Sequence, residues 1–186
     1  EVLPADIDET PLHQERPRQL ALRLAVAKGR AARDRLDLTM SIIPGGGSAH
    51  NNHMLSADTV VAVGRRILPK AETETEARAC LKLLSGRSHD VLTAVAVLAP
   101  DGREASRVVE SRVTFKRLSL TETEGYIASR EWQDKAGGYA IQGIAGGFVT
   151  DIAGSYSAIV GLPLYETASL LEGLGYPVGQ RWSKPA

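Results

Sequence analysis

Asp58 and Thr59 open the apolar run "DTVVAV", and further polar residues stand at the ends of other apolar stretches. They are Asp6, Asp8 and Glu9 of "DIDE", then Lys70, then Asp134 and Lys135, then Gln142. Carboxylates suit Mg²⁺, a hard cation usually held by one or two of them and shared with substrate phosphates. Lysines place point charges against phosphate oxygens. A Gln amide both donates and accepts, so it can read the edge of a base. Metal, phosphate and base contacts are the parts that a nucleotide-cleaving site needs. Each residue also has a plainer reading. Asp58 is either a turn or strand-end cap, or a metal ligand or general base. "DIDE" alone reads as a solvated acidic loop, Lys70 as a surface residue after a proline, and "DKAGGYAIQG" as a Gly-rich turn into a strand.

The elements that must bring these residues together follow from pattern. "EVLPADIDETPL" reads as a short strand running into an acidic loop. Leu20, Leu24 and Ala31 recur at helical spacing and predict a helix from about Pro17 to Leu36. Lys28 falls on the same stripe, where it either snorkels to water or points into a polar pocket. Residues 44–54, "PGGGSAHNNHM", are Gly-rich and aperiodic and read as a flexible loop carrying His50 and His53. The β-branched run from Val60 to Val63 predicts a buried strand entered through Asp58. Gly64 suggests a turn, and Ile67–Leu68 a short return strand.

Thr73 and Glu76 have capping-box spacing ahead of a stripe of Ala77, Cys80, Leu81 and Leu84, with Gly86 as the stop. "HDVLTAVAVLAP", "DG" and "REASRVVESRVTFKRL" make a hairpin signal. A helix begins at the overlapping boxes Ser119/Glu122 and Thr121/Glu124. "YAIQGIAGGFVTDIAGSYSAIVG" reads as short β-rich pieces broken by glycines, and "LPLYETASLLEGLGY" as a closing helix. Helices alternate with hairpins, which predicts a mixed-sheet α/β or α+β domain and not a doubly wound parallel one.

Bulk properties narrow the function classes. The chain of 186 residues suits one domain. Lys+Arg and Asp+Glu are equal at 22 each, which argues against a protein dominated by nucleic-acid backbone binding. No stretch approaches a membrane span and no secretory signal is visible, so a cytoplasmic location is the default. The single Cys80 cannot build an internal disulfide framework and reads as a small buried helix residue. No Walker A or Rossmann fingerprint occurs.

The stretches "DIDET", "LRLAVAKGRA", "SADTVVAVG", "LSGRSHDVLTAVAV", "VTFKRLS", "DKAGGYAIQG" and "GSYSAIVGLPLYET" occur in this order across nearly the whole chain. In this the sequence resembles the Maf family of nucleoside triphosphate pyrophosphatases. The resemblance implies an ITPase-like α/β fold, with a long bent mixed sheet, flanking helices and a cleft between two lobes. It implies hydrolysis of dTTP and UTP to monophosphate and pyrophosphate with Mg²⁺ or Mn²⁺, a house-cleaning role toward non-canonical nucleotides, and a homodimer. Position by position it makes Asp58 the catalytic proton acceptor and, with Glu9, the metal-binding carboxylate. Thr59 and Gln142 fall at positions tied to base choice, and Lys28 and Lys70 at polar substrate-binding positions.

Departures from the family pattern leave other readings open. Members normally carry an apolar strand and an S-x-S-P-R-R loop ahead of "DIDET", and the chain reads as lacking both. "ILPKA" stands for the usual I-L-G-K-P, and the loop before the Asp58 strand is longer than usual. An incomplete phosphate site makes a catalytically impaired, nucleotide-binding regulator of cell division the alternative. A 7-methyl-GTP pyrophosphatase is the weaker one, because that branch usually departs from "KAGGYAIQG".

Overall fold

A computed structural model describes residues 2–42 and 52–181. Helix α1 runs Pro17–Ile42, and the strands are β1 Met54–Val63, β2 Arg66–Leu68, β3 Ser88–Leu98, β4 Glu104–Phe115 and β5 Val149–Ala153. The remaining helices are α2 Glu74–Leu84, α3 Leu120–Ser129, α4 Tyr156–Val160, α5 Leu164–Gly173 and α6 Val178–Arg181. The strands form one five-stranded sheet in the order β2-β1-β3-β4-β5. This is a mixed α/β fold with flanking helices, as the pattern predicts. Every pairing among the described strands is antiparallel, where a mixed sheet was expected. The short connections explain this: Gly64-Arg65 closes β1 onto β2, and the Asp101-Gly102 turn closes β3 onto β4, and such links join only antiparallel neighbours.

The period of two along a strand divides the core into two layers. Val60 and Ala62 of β1, with Leu92, Ala94 and Ala96 of β3, pack against Leu20, Ala21, Leu24 and Ala25 of α1. Val61 and Val91 face the other way, into a cluster with Ala77, Cys80, Leu81 and Leu84 of α2 and with Tyr126, Trp132, Tyr139 and Phe148. The capping boxes at Thr73/Glu76 and Ser119/Glu122 are both formed. Burying α2's four stripe residues decides which side of that helix faces the sheet.

Other expectations are corrected. α1 continues past Leu36 to Ile42 because no breaker precedes Pro44. β1 starts at Met54, not Asp58, because Met54 to Ala57 pair with Leu98 to Val95. Residues 2–12 form no strand: exposure alternates as in a strand, but Pro4 and Pro11 remove donors and no ladder partner lies alongside among the described residues. Between Ile141 and Val160 only β5 is a strand; Ile144–Phe148 is a 3₁₀ turn and Tyr156–Val160 a helix capped by Ser155. Most of the Gly-rich loop, His50 included, lies outside the described residues, whereas His53 Nε2 donates to the Leu174 carbonyl at 3.1 Å. No helix among the described residues is long and apolar enough to cross a membrane.

Candidate functional site

Three elements converge on β1. The first is α1, which lies unusually close to the sheet. A Cβ on Gly29 would stand 2.7 Å from Ser56 Oγ and 2.9 Å from a Leu98 methyl, so a side chain there would force Ser56 and Leu98, or the helix, to shift. Ser56 Oγ donates to the Ala25 carbonyl at 2.7 Å and ties the helix down. Lys28, one residue before Gly29, is thereby delivered to the sheet surface. The second element is the extended segment carrying Glu9, docked by Ile7 against the α1 layer.

The third element is the stretch 134–142. Gly137 has φ 68°, and a Cβ there would meet Val61 Cγ1 at 2.8 Å. Gly137 of "DKAGGYAIQG" is thus explained by backbone crossing over β1, and Gly138, also at φ 68°, by close packing on Ala71, Ala77 and Cys80, without any phosphate. Gly137 N–H donates to the Pro69 carbonyl at 3.0 Å, and Lys70 bridges to Ala136. Tyr139 anchors the stretch beneath, its hydroxyl 2.8 Å from Nε2 of the buried His89.

Pro69 explains why the site is open. It lacks a backbone donor and ends β2 at Leu68, so β2 pairs with β1 only from Val61 onward. The earlier part of that β1 edge, beside Asp58 and Thr59, has no strand partner on that side among the described residues. Two cavities meet there. One, of about 480 Å³, is lined by Glu9, Asp58, Thr59 and Lys70 among others. The other, of about 220 Å³, is lined by Asp58, Thr59, Lys70, Asp134, Lys135 and Gln142 among others. A larger groove between α2 and α3 contains none of these residues.

Asp58, Lys28, Glu9 and Lys70 form a chain of alternating charge. Lys28 Nζ lies 2.6 Å from Asp58 Oδ1 and 2.7 Å from Glu9 Oε1, and Lys70 donates to Glu9 Oε2. Asp58 is 7% exposed, and its side chain faces the α1 layer with Val60 and Ala62. Its burial raises the carboxyl above the ordinary aspartate value, and the Lys28 ammonium opposes this without cancelling it. Burial also works against the Lys28 charge, but two carboxylates outweigh it and hold the ammonium above the ordinary lysine value. Glu9 is pushed up by burial and drawn further down by its two lysines, ending below the ordinary glutamate value. The asymmetry follows first from the deeper burial of Asp58 and then from partner number, since Asp58 is in contact with one ammonium while Glu9 and Lys28 each have two partners. Asp58 Oδ2 accepts no hydrogen bond among the described residues.

Thr59 faces the opposite side of the sheet. Its Oγ1 is 2.9 Å from Oγ1 of Thr93, its cross-strand partner, and Thr93 donates to the Ala158 carbonyl of α4 at 2.6 Å. Thr93 was not legible as a site residue, because a threonine inside "VLTAVAV" signals only strand propensity. All the sequence-predicted site residues therefore meet: Lys28 and Glu9 through ion pairs, and Thr59, Lys70 and Gln142 by lining cavities with Asp58. No group of three or more His, Cys, Asp or Glu side chains converges on a metal position among the described residues.

Comparison with known proteins identifies the family of the chain. A family model described as "Maf-like protein" matches residues 1–174. The chain is 61% identical over 173 residues to a dTTP/UTP pyrophosphatase of Caulobacter vibrioides, covering 93% of this chain and 83% of that protein. It is 56% identical over 179 residues to one of Rhodopseudomonas palustris (96% and 83% covered). A dTTP/UTP pyrophosphatase of Mesorhizobium japonicum is 54% identical over 181 residues (97% and 84% covered). With a family model spanning most of its length and relatives above half identity, the chain belongs to the Maf-like protein family.

Proposed function

We propose that this chain hydrolyses dTTP and UTP to the nucleoside monophosphate and pyrophosphate. The observation that carries the reading is Asp58, buried and raised in basicity, at the junction of two cavities lined by lysines and by Thr59 and Gln142. The names of the relatives set out above point the same way.

In this reading the triphosphate lies along the Lys70 side and the base beside Thr59 and Gln142. Lys28 holds Asp58 Oδ1, leaving Oδ2 to take a proton from the attacking water. The water oxygen bonds to the α-phosphorus, the α–β bridging bond breaks, and pyrophosphate leaves with the bond's electron pair. A raised carboxylate is the better base, because its affinity for the proton is closer to what the transfer needs. Lys70, whose side chain is 46% exposed, is free enough to exchange Glu9 for a phosphate oxygen. Fixed ammonium groups then stabilise the charge that grows on the phosphoryl oxygens.

Asp58 and Glu9 suit a divalent ion such as Mg²⁺ or Mn²⁺, because such ions commonly take one or two carboxylates and complete their shell with water and phosphate. When bound, the ion supplies charge neutralisation at the phosphates. We read the protein as cytoplasmic and homodimeric on family resemblance.

The test is pyrophosphate release from dTTP, UTP, ATP and GTP with Mg²⁺, run on the parent and on Asp58→Asn. Preference for the first two, with turnover falling at least about 10²-fold in the variant, supports the reading. Nucleotide binding without hydrolysis by the parent replaces it with the regulatory one.

A further inference from the structure

We infer that Thr93, buried and outside the catalytic chain, sets the hydrogen-bonding polarity of Thr59 and so makes the site select pyrimidines that carry a ring N–H donor. The inference rests on the nucleotide reading above. A threonine hydroxyl has one proton. The Ala158 carbonyl can only accept, so at 2.6 Å the Thr93 proton is committed to it. The contact of 2.9 Å between the two threonine hydroxyls must then use the proton of Thr59. With that proton turned inward, Thr59 Oγ1 offers only lone pairs to the smaller cavity, which Thr59 lines with Gln142.

The relay is held from every side. Thr93 is fully buried, and strand register places it directly opposite Thr59. The N-cap of α4 is tied to β4 by a half-buried pair, Ser155 N–H donating to Ser111 Oγ at 3.0 Å. The hydroxyl of Thr59 therefore cannot turn its proton outward without leaving Thr93 Oγ1 short of a donor in a dry environment. Uracil and thymine present an N–H at ring position 3, which an acceptor pairs with. Cytosine presents a lone pair there, which faces the lone pairs of Thr59. A site built on such a contact discriminates through the group left unpaired.

Thr93→Val keeps the shape and strand propensity, and the Ala158 carbonyl retains the Gly161 N–H at 3.0 Å. It removes the inward acceptor, so the Thr59 proton is released to the cavity. The measurement is the ratio of kcat/KM for dTTP over dCTP in the parent, Thr93→Val, Thr93→Ser, Thr59→Val and the Thr59→Val/Thr93→Val double variant, with thermal melting as a folding check. The expected result is a parent ratio well above one, a drop of about tenfold in Thr93→Val, and recovery in Thr93→Ser. In the Thr59→Val background the Thr93 substitution changes the ratio no further, because it acts through Thr59. An equal loss on both nucleotides, an additive double variant or failed rescue by serine overturns the relay while dTTP hydrolysis stands. A parent that cleaves dTTP and dCTP equally also overturns it. A parent that cleaves no nucleotide overturns both the relay and the functional reading.

Discussion

Lys28 Nζ lies 2.6 Å from Asp58 Oδ1, joining the middle of α1 to the middle of β1 across the sheet surface. The contact compensates a carboxylate that burial alone would push up further. Lys28→Met removes the compensation. Asp58 then becomes harder to ionise, so the acid limb of the kcat/KM profile moves to higher pH. That profile reports the free enzyme's essential groups. Activity near neutral pH should also fall by about 10²-fold, as expected for loss of a preorganised charge. A limb that stays in place in the variant means that Asp58 is not the group titrating.

The approach of α1 depends on Gly29. Gly29→Ala places a methyl 2.7 Å from Ser56 Oγ, so either Ser56 and Leu98 turn aside or the helix lifts, and Lys28 with it. The expected effect is a loss of roughly tenfold or more in kcat/KM with a destabilisation of about 1–3 kcal/mol, typical of overpacking. Adding Ser56→Ala removes the closest obstruction and should restore part of the activity. Activity in the single variant equal to the parent's would show that Lys28 reaches Asp58 without close helix packing.

Gln142 lines the smaller cavity with Asp58 and Thr59. Gln142→Ala should narrow the preference for dTTP over ATP and GTP by roughly tenfold, the worth of one or two hydrogen bonds to a base edge. Steady-state hydrolysis of the separate nucleotides measures this. An unchanged preference in the variant assigns base choice to other residues.

His89 is buried with no partner for its Nδ1 among the described residues, and burial lowers its pKa from 6.5 to about 4. The folded protein therefore keeps this ring neutral while the unfolded chain takes up a proton below 6.5. Its contribution to stability is complete above that pH and is lost as pH falls toward 4, at about 1.4 kcal/mol per pH unit. Urea unfolding between pH 6.5 and 5, above the range where most carboxylates titrate, should show this slope, and His89→Gln should flatten it. The same slope in the variant assigns the titration elsewhere.

The elements that local chemistry controls were legible in the sequence. The caps at Thr73 and Ser119 and the buried face of α2 depend on residues three and four apart, and they form as read. Lys28 on an apolar stripe was already an anomaly, with snorkelling and a polar pocket as its two readings. It reaches the pocket, because Gly29 removes the spacing that would let it turn to water. The pieces around Ile144 and Tyr156 were misread as strands because their β-branched and aromatic residues report burial as much as strand geometry.

By itself the sequence determined the residue types of the site and the helix and hairpin order that carries them, since both are written in short-range pattern. Only the tertiary structure decided that Asp58 lies inside β1 and not at its start, that Pro69 leaves the neighbouring edge open, and that Thr93 stands behind Thr59. These depend on strand register and on how closely α1 and the 134–142 stretch cross β1. The β1–β3 register relates residues as far apart as Thr59 and Thr93, and is set by which faces can be buried together.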